Sequence, residues 1–232
     1  AGFFDSFANH RIQLFGRGEN AYLRKLDQEQ RYETIERIFS YELPCCVFTY
    51  GLDPIDDIQV ISPMHKSETG VANLNAMLQE RLNPPGPGKH EIARGYWTYR
   101  LGDKVMQIRN NYDKNVFNGD IGRIVHIDRK SGVLKIGFDT VVEYDAGELD
   151  EVVPAYAISV HKSQGSEFRC MVMPVSTQHF IMLKRNLLYT AVTRARELAV
   201  LAGDMKALAI AVANDQVSER YTTLRDRLIG LG

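Results

Sequence analysis

Tyr156-Ala-Ile-Ser-Val-His-Lys-Ser-Gln-Gly-Ser-Glu-Phe168 and Leu187-Leu-Tyr-Thr-Ala-Val-Thr-Arg-Ala-Arg196 decide how the chain reads. In the first stretch, Tyr156 to Val160 is an apolar run too short for an independent helix and predicts a buried strand. His161, Lys162, Ser163, Gln164 and Gly165 follow at once. Polar groups just past the carboxyl end of a buried strand are where open α/β sheets bind ligands. The second stretch is helical in pattern: Leu183, Leu187, Leu188, Ala191 and Ala195 share one face at three- and four-residue spacing. It ends in Arg194 and Arg196, just before an apolar strand from Leu198 to Ala202.

Outward from this centre the same alternation continues. Ile58 to Ser62 predicts a strand, His65 to Thr69 a polar turn, and Thr69 to Leu82 a helix with Val71, Leu74, Leu78 and Leu82 inward. Arg169 to Val175 predicts the next strand, with helices over Met182 to Ala195 and Asp204 to Val212. Asn83-Pro-Pro-Gly-Pro-Gly88 is the clearest breaker in the chain. Beyond it the texture turns to short β-rich runs: Lys104 to Arg109, Ile121 to Ile127, Val133 to Phe138 and Val141 to Tyr144, spaced by Asn118-Gly119, Ser131-Gly132 and Asp139. At Val153-Pro154 the α/β texture returns. Residues 89–152 therefore read as a small barrel, an autonomous lobe inserted into a parent domain of residues 51–88 and 153–232. Residues 1–50 have no assigned role; Asp27 to Leu43 is an amphipathic packing helix there, and Ser218 to Leu228 a short helix near the other end.

Lys and Arg total 28 against 29 Asp and Glu, so any contact with nucleic acid must be a local groove rather than a basic coat. Three cysteines, two of them adjacent, suggest a reducing compartment rather than a disulfide scaffold. No apolar run reaches membrane-spanning length and no charged-then-apolar leader is read. The six histidines do not cluster as metal ligands, and Asp56-Asp57 is too weak a carboxylate group for nuclease chemistry. No GxxxxGK[ST] phosphate loop occurs; Gly86-Pro-Gly-Lys89 has the wrong spacing, and its proline removes a donor that a phosphate cradle needs.

The two opening stretches resemble the fifth and sixth motifs of superfamily 1 helicases, and their wording is most similar to the RecD-like helicases, which include the alpha subunit of exodeoxyribonuclease V. The resemblance extends to Val60-Ile-Ser-Pro-Met64 with Gly70 to Leu78, to Gly102 through Asp113 and to Phe117 through Gly122, covering roughly residues 51 to 215. It implies an α/β fold: a RecA-like parallel sheet of the P-loop NTPase type with helices on both faces, a second motor domain without Walker A, and an inserted SH3-like β-barrel. It implies the carboxyl-terminal part of an ATP-dependent 5′-3′ DNA helicase, with ATP and Mg²⁺ held mainly by a first motor domain that this chain lacks. The implied partners are single-stranded DNA, that first domain and other recombination and repair subunits, in the cytoplasm and away from membranes.

The resemblance also assigns residues. Arg194 occupies the sixth motif's arginine, which would meet the γ-phosphate as charge develops; Lys66, Gln164, Gly165 and Glu167 fall on the nucleotide side. His161, Lys162 and Ser163 fall on the nucleic-acid side. Asn110, Asn111, Tyr112 and Lys114, in a barrel loop, combine a ring, amides and a cation as single-strand binders do. Each has a plainer reading beside it: a helix-end arginine, for which Arg196 is the better owner, a solvated Lys66, a structural histidine, and asparagines that shape a hairpin. Two other functions remain open: a non-catalytic nucleic-acid-binding module, and the helicase half of a conjugative relaxase.

Overall fold

A computed structural model describes residues 11–15, 51–177, 182–203 and 205–215. The expected helices at Asp27 to Leu43 and Ser218 to Leu228 lie outside the described residues. The larger layer is a five-stranded, all-parallel sheet in the order β1 (Arg11–Phe15), β12 (Ala195–Gly203), β11 (Phe168–Val175), β2 (Ile58–Ser62), β10 (Ala157–Ser159). Its interior strands are apolar on both faces, as a sheet covered on both sides requires. Cys170, Val172, Leu198, Val200 and Val60 face one side, where Leu74 and Leu78 of helix α1 (Val71–Leu82) pack. Met171, Met173, Ala199, Leu201 and Ile61 face the other, where Leu188 and Ala191 of α2 (Arg185–Val192) meet Leu208 and Ala211 of α3 (Met205–Ala213). This is the open parallel sheet with helices on both faces that the resemblance implies.

Two element ends differ from the periodic reading. Helix α2 starts at Arg185 because Lys184 is extended, and it stops at Val192 because β12 begins at Ala195, where it pairs with Phe168. The strand β1 has no counterpart in the sequence reading; it lies parallel on β12, with Gln13 opposite Val200.

The second layer is antiparallel, in the order β8 (Val141–Tyr144), β7 (Val133–Gly137), β6 (Ile121–Asp128), β5 (Lys104–Gln107), β9 (Val152–Pro154). It surrounds its own core of Val105, Ile124, Ile127, Leu134, Ile136 and Tyr144. A register shift between Ile124 and His126 bends β6, as curled sheets need. Among the described residues no pairing joins β8 to β9. A separate hairpin, β3 (Glu91–Arg94) and β4 (Trp97–Arg100), precedes this sheet and was not anticipated. The last barrel strand runs through Pro154, so the lobe ends two residues later than the texture suggests.

The lobe is not a loose appendage. Asp103, fully buried, takes four donors: Arg100 N at 2.7 Å, Gln79 Nε2, Asn83 Nδ2 at 2.7 Å and Tyr156 OH at 2.8 Å. Burial and the Asp103 charge push the Tyr156 hydroxyl above its ordinary range, which keeps it a donor. Beside it, buried Lys104 donates from Nζ to Ile58 O at 3.1 Å. Arg123 of β6 pairs with Asp56 at 3.1 Å, outside the parallel sheet's edge. Excising residues 89–152 would leave Gln79, Asn83 and Tyr156 without their Asp103 acceptor.

Burial lowers the Lys104 ammonium from 10.5 to about 8. Below that value the folded chain bears the full cost of a buried cation. Between 8 and 10.5 the unfolded chain still holds the proton and the folded chain does not, so stability rises with pH. Urea unfolding across this window should show a gain of about 3 kcal/mol that is absent in Lys104→Met. Equal slopes in the two proteins would contradict it.

Candidate functional site

The two organising stretches meet at one place. Arg194 O accepts from Phe168 N at 2.8 Å, and Arg194 Nη1 donates to Ser166 O at 3.1 Å. The guanidinium also donates from Nε to Thr190 O at 3.2 Å and from Nη2 to Thr193 Oγ1 at 3.3 Å. Arg194 is thus held half-buried, with its fork fixed against the Ser166–Phe168 turn, while Arg196 is exposed.

Residues 161–167 cross the sheet from edge to edge. Ser159 is level with Ser62 at the carboxyl ends of β10 and β2. Phe168 is level with Ala195 at the amino ends of β11 and β12, and Val60 with Val172. A strand advances roughly 3.3 Å per residue, so the edges are roughly 20 Å apart. His161 and Lys162 therefore lie by the carboxyl edge, and Ser166 and Glu167 by the Arg194 edge. Gly165 adopts φ +88, a left-handed conformation that turns the crossing, and nothing lies within 4 Å of where its Cβ would be. Gln164 and Glu167 are exposed, and Glu167 lines a cleft of about 390 Å³ with Asp120 and Asp139 of the barrel.

Several expected residues change place. Lys66 follows the carboxyl end of β2 and so sits at the edge opposite Arg194, too far for one phosphoryl group to meet both. It instead shares a cavity of about 300 Å³ with Lys162. Ser163 is fully buried; its hydroxyl donates to Val160 O at 2.8 Å and its N–H to Ser159 O at 3.1 Å, so it shapes the turn and offers a ligand nothing. Burial lowers the Lys162 amine from its ordinary value. His161 is exposed.

The barrel loop divides in the same way. Asn111 bridges Val116 and donates from Nδ2 to Glu151 at 3.2 Å, and Asn115 takes a left-handed φ of 54. Lys114 is committed to the barrel: Nζ donates to Glu143 O at 2.7 Å, pairs with Glu148 and lies 4.5 Å from the Tyr144 ring centroid. Its ammonium holds the Glu148 carboxyl below the usual range. Asn111 and Lys114 are hairpin formers, then, and Asn110 accepts from Asn118 N at 2.9 Å. Asn110 and Tyr112 are the exposed two of the four, and Tyr112, 77% exposed, lies edge-on to Phe117 at 5.9 Å.

Two positions were missed. Trp97 lines the Lys66–Lys162 cavity, and Asn75 of α1 lies beside it. Neither has a local signal, because each gains its setting from a distant element. Among the described residues no group of three or more His, Cys, Asp or Glu could hold a metal ion, and no helix is long and apolar enough to cross a membrane.

Three family models match stretches of the chain. Residues 74–138 match the family model of the ATP-dependent RecD-like DNA helicase SH3 domain, and residues 154–202 that of the UvrD-like helicase C-terminal domain. The ATP-dependent RecD2 DNA helicase of Deinococcus radiodurans is 40% identical over 172 residues, 74% of this chain and 23% of that one. The RecBCD enzyme subunit RecD of Buchnera aphidicola is 33% identical over 161 residues, 67% of this chain and 26% of that one. This chain thus spans about a quarter of the length of these relatives. Residues 1–70 match the model of the HPr Serine kinase N terminus, and the HPr kinase/phosphorylase of Treponema pallidum is 56% identical over 54 residues, 23% of this chain and 17% of that one. That model's span overlaps β2 and otherwise falls mostly outside the described residues.

Lys114→Ala should lower stability by about 1 kcal/mol in chemical denaturation while leaving oligonucleotide binding unchanged. Tyr112→Ala should do the reverse, shifting stability by less than about 0.5 kcal/mol. A binding loss in Lys114→Ala with unchanged stability would restore the cation to the ligand.

Proposed function

We propose, on the premise that residues 74–138 are the SH3 domain of a RecD-like helicase and residues 154–202 a UvrD-like helicase C-terminal domain, that this chain is the second motor half of an ATP-dependent DNA helicase. It moves 5′ to 3′ on single-stranded DNA, in the cytoplasm, once joined to a first half that carries the phosphate loop. The observation that carries this reading is the fixing of Arg194 against the Ser166–Phe168 turn. A guanidinium whose orientation is set by three neighbours is arranged before charge develops, which is what electrostatic catalysis of phosphoryl transfer needs.

The residues fit a nucleotide in part. ATP supplies the transferable γ-phosphoryl group when bound. Arg194 would lie against it, Gly165 leaves the backbone open to approach, and exposed Glu167 offers an acceptor to ribose hydroxyls. Mg²⁺ is assigned to the first half. Lys66 has no part on this edge. His161, Lys162 and Tyr112 serve the DNA. The names of the relatives favour a helicase over a non-catalytic module or a relaxase half. The HPr kinase-like stretch lies upstream of every residue on the nucleotide edge.

The test is steady-state ATP hydrolysis, with single-stranded DNA present, by the chain joined to a Walker A-bearing first half. Arg194→Ala should lower kcat by roughly 10³ while DNA affinity and the unfolding midpoint hold. Near-normal turnover would remove the role from Arg194 and pass it to exposed Arg196. DNA-stimulated turnover by the 232-residue chain alone, at about 1 per second or faster, would overturn the half-motor reading.

A further inference from the structure

Lys104 of β5 carries a charge into the junction between the barrel and the parallel sheet, where it is 3% exposed. Its Nζ makes one hydrogen bond, to Ile58 O at 3.1 Å, and has no carboxylate partner among the described residues. The charged groups that face it are already matched. Asp56 pairs with Arg123 of β6 at 3.1 Å, and Asp57 with Arg169 of β11 at 3.0 Å. Asp53 Oδ1 accepts from Ile55 N at 2.8 Å and Asp56 N at 2.7 Å. A buried cation with so little compensation costs stability, and an apolar side chain of similar volume would cost less. The ammonium lies over the Phe168 ring instead, 5.9 Å from its centroid.

Phe168 marks the corner against which Arg194 is set. Its N–H donates to Arg194 O at 2.8 Å, and Ser166, two residues earlier, accepts from Arg194 Nη1 at 3.1 Å. The sheet ladder does little to fix this corner. Phe168 is level with Ala195 but Cys170 with Leu198, so three steps of β12 span two of β11. Such a slip interrupts the ladder and re-aims the residues at its end, and here those are Ala195 and Arg194. On one side of the slip, Arg169 is clamped by Glu197 at 2.6 and 3.1 Å and by Asp57 at 3.0 Å. On the other side the Phe168 ring is buried, and Lys104 is the cation resting on it.

We propose that Lys104 is a positioning residue for Arg194: its ammonium holds the Phe168 ring, and through that ring the turn to which the guanidinium is bonded. The inference rests on the motor reading and deepens it, making the arginine of the sheet depend on a residue of the barrel. A cation over a ring is attracted more strongly when both are out of water, as they are here. The cost of burying the ammonium is then stability given up for geometry at a functional site. Burial holds the amine at about 8, so the cation is present at neutral pH and is lost as pH rises through that value.

The chain joined to a Walker A-bearing first half is assayed for ATP hydrolysis with single-stranded DNA, at pH values on both sides of 8. Below that pH, Lys104→Met should lower kcat roughly 5- to 30-fold with KM for ATP held within about twofold. Its unfolding midpoint should hold or rise, because a buried charge has been removed. The unsubstituted enzyme should slow as pH rises through about 8, and Lys104→Met should lack that limb. Phe168→Leu should also slow turnover, and in that background Lys104→Met should change kcat by less than about twofold. In the 232-residue chain, the Phe168 amide should exchange with solvent faster in Lys104→Met. Unchanged kcat in Lys104→Met, or an equal loss with and without the Phe168 ring, would overturn the positioning role. If Arg194→Ala is slow in the same assay, the motor reading still stands. A kcat loss accompanied by a lower unfolding midpoint would overturn it as well, leaving Lys104 a packing residue. Near-normal turnover in Arg194→Ala would overturn the motor reading and the positioning role together.

Discussion

The carboxylate of Asp103 is the constraint on which the two layers depend. It lies fully buried where α1, the approach to β5 and the approach to β10 converge, and it receives donors from all three. A buried charge is tolerable only when its oxygens are filled by well-placed donors, and four occupy them here. The arrangement works in both directions: without Asp103 the amides of Gln79 and Asn83 would keep only Thr98 O and Leu101 O, and the buried Tyr156 hydroxyl would lose its acceptor at a cost of about 1 to 3 kcal/mol. Lys104, the next residue, reaches Ile58 O from the same strand, so β5 is bound to the parallel sheet by two consecutive side chains. The hairpin, the barrel and the sheet therefore share one polar centre.

From that centre the functional geometry follows. Because β9 passes into β10 through Ala155 and Tyr156 alone, the barrel fixes where β10 ends and hence where residues 161–167 begin. That short crossing joins the two edges of the sheet. One edge carries the Arg194 guanidinium, locked to backbone carbonyls. The other carries the amines of Lys66 and Lys162 around an apolar floor. A displacement of the crossing would be felt at both.

What was legible in the sequence is what local pattern encodes. Ile58–Ser62 and Val141–Tyr144 have the predicted bounds, and Leu74 and Leu78 face inward as their spacing requires. The surroundings of Arg194 and Gly165 are local too: the arginine's neighbours are in its own helix and the Ser166–Phe168 turn, and the glycine's conformation is its own. The hairpin β3–β4 escaped because Glu91 to Arg94 is half exposed and shows no alternation. The errors at Lys66, Asn111, Lys114 and Ser163 have another origin. A lysine in a loop reads as available until its partner is seen, and the partners of Lys114 and Asn111 are Glu148 and Glu151, far along the chain. Ser163 spends its hydroxyl on a carbonyl three residues back, a local bond that a motif resemblance does not reveal.

Asn75 has a further consequence. Strand β10 is an edge of the parallel sheet, and Ala157 turns its N–H and C=O away from β2. The Asn75 amide meets both: Nδ2 donates to Ala157 O at 2.8 Å, and Ala157 N donates to Oδ1 at 3.0 Å. A side chain thereby imitates the strand that would otherwise be invited to pair there. With only three residues in β10, that single amide occupies the first position of the outer ladder. The edge nearest the Lys66–Lys162 cavity is thereby closed to stray β-strands and does not become a seed for aggregation.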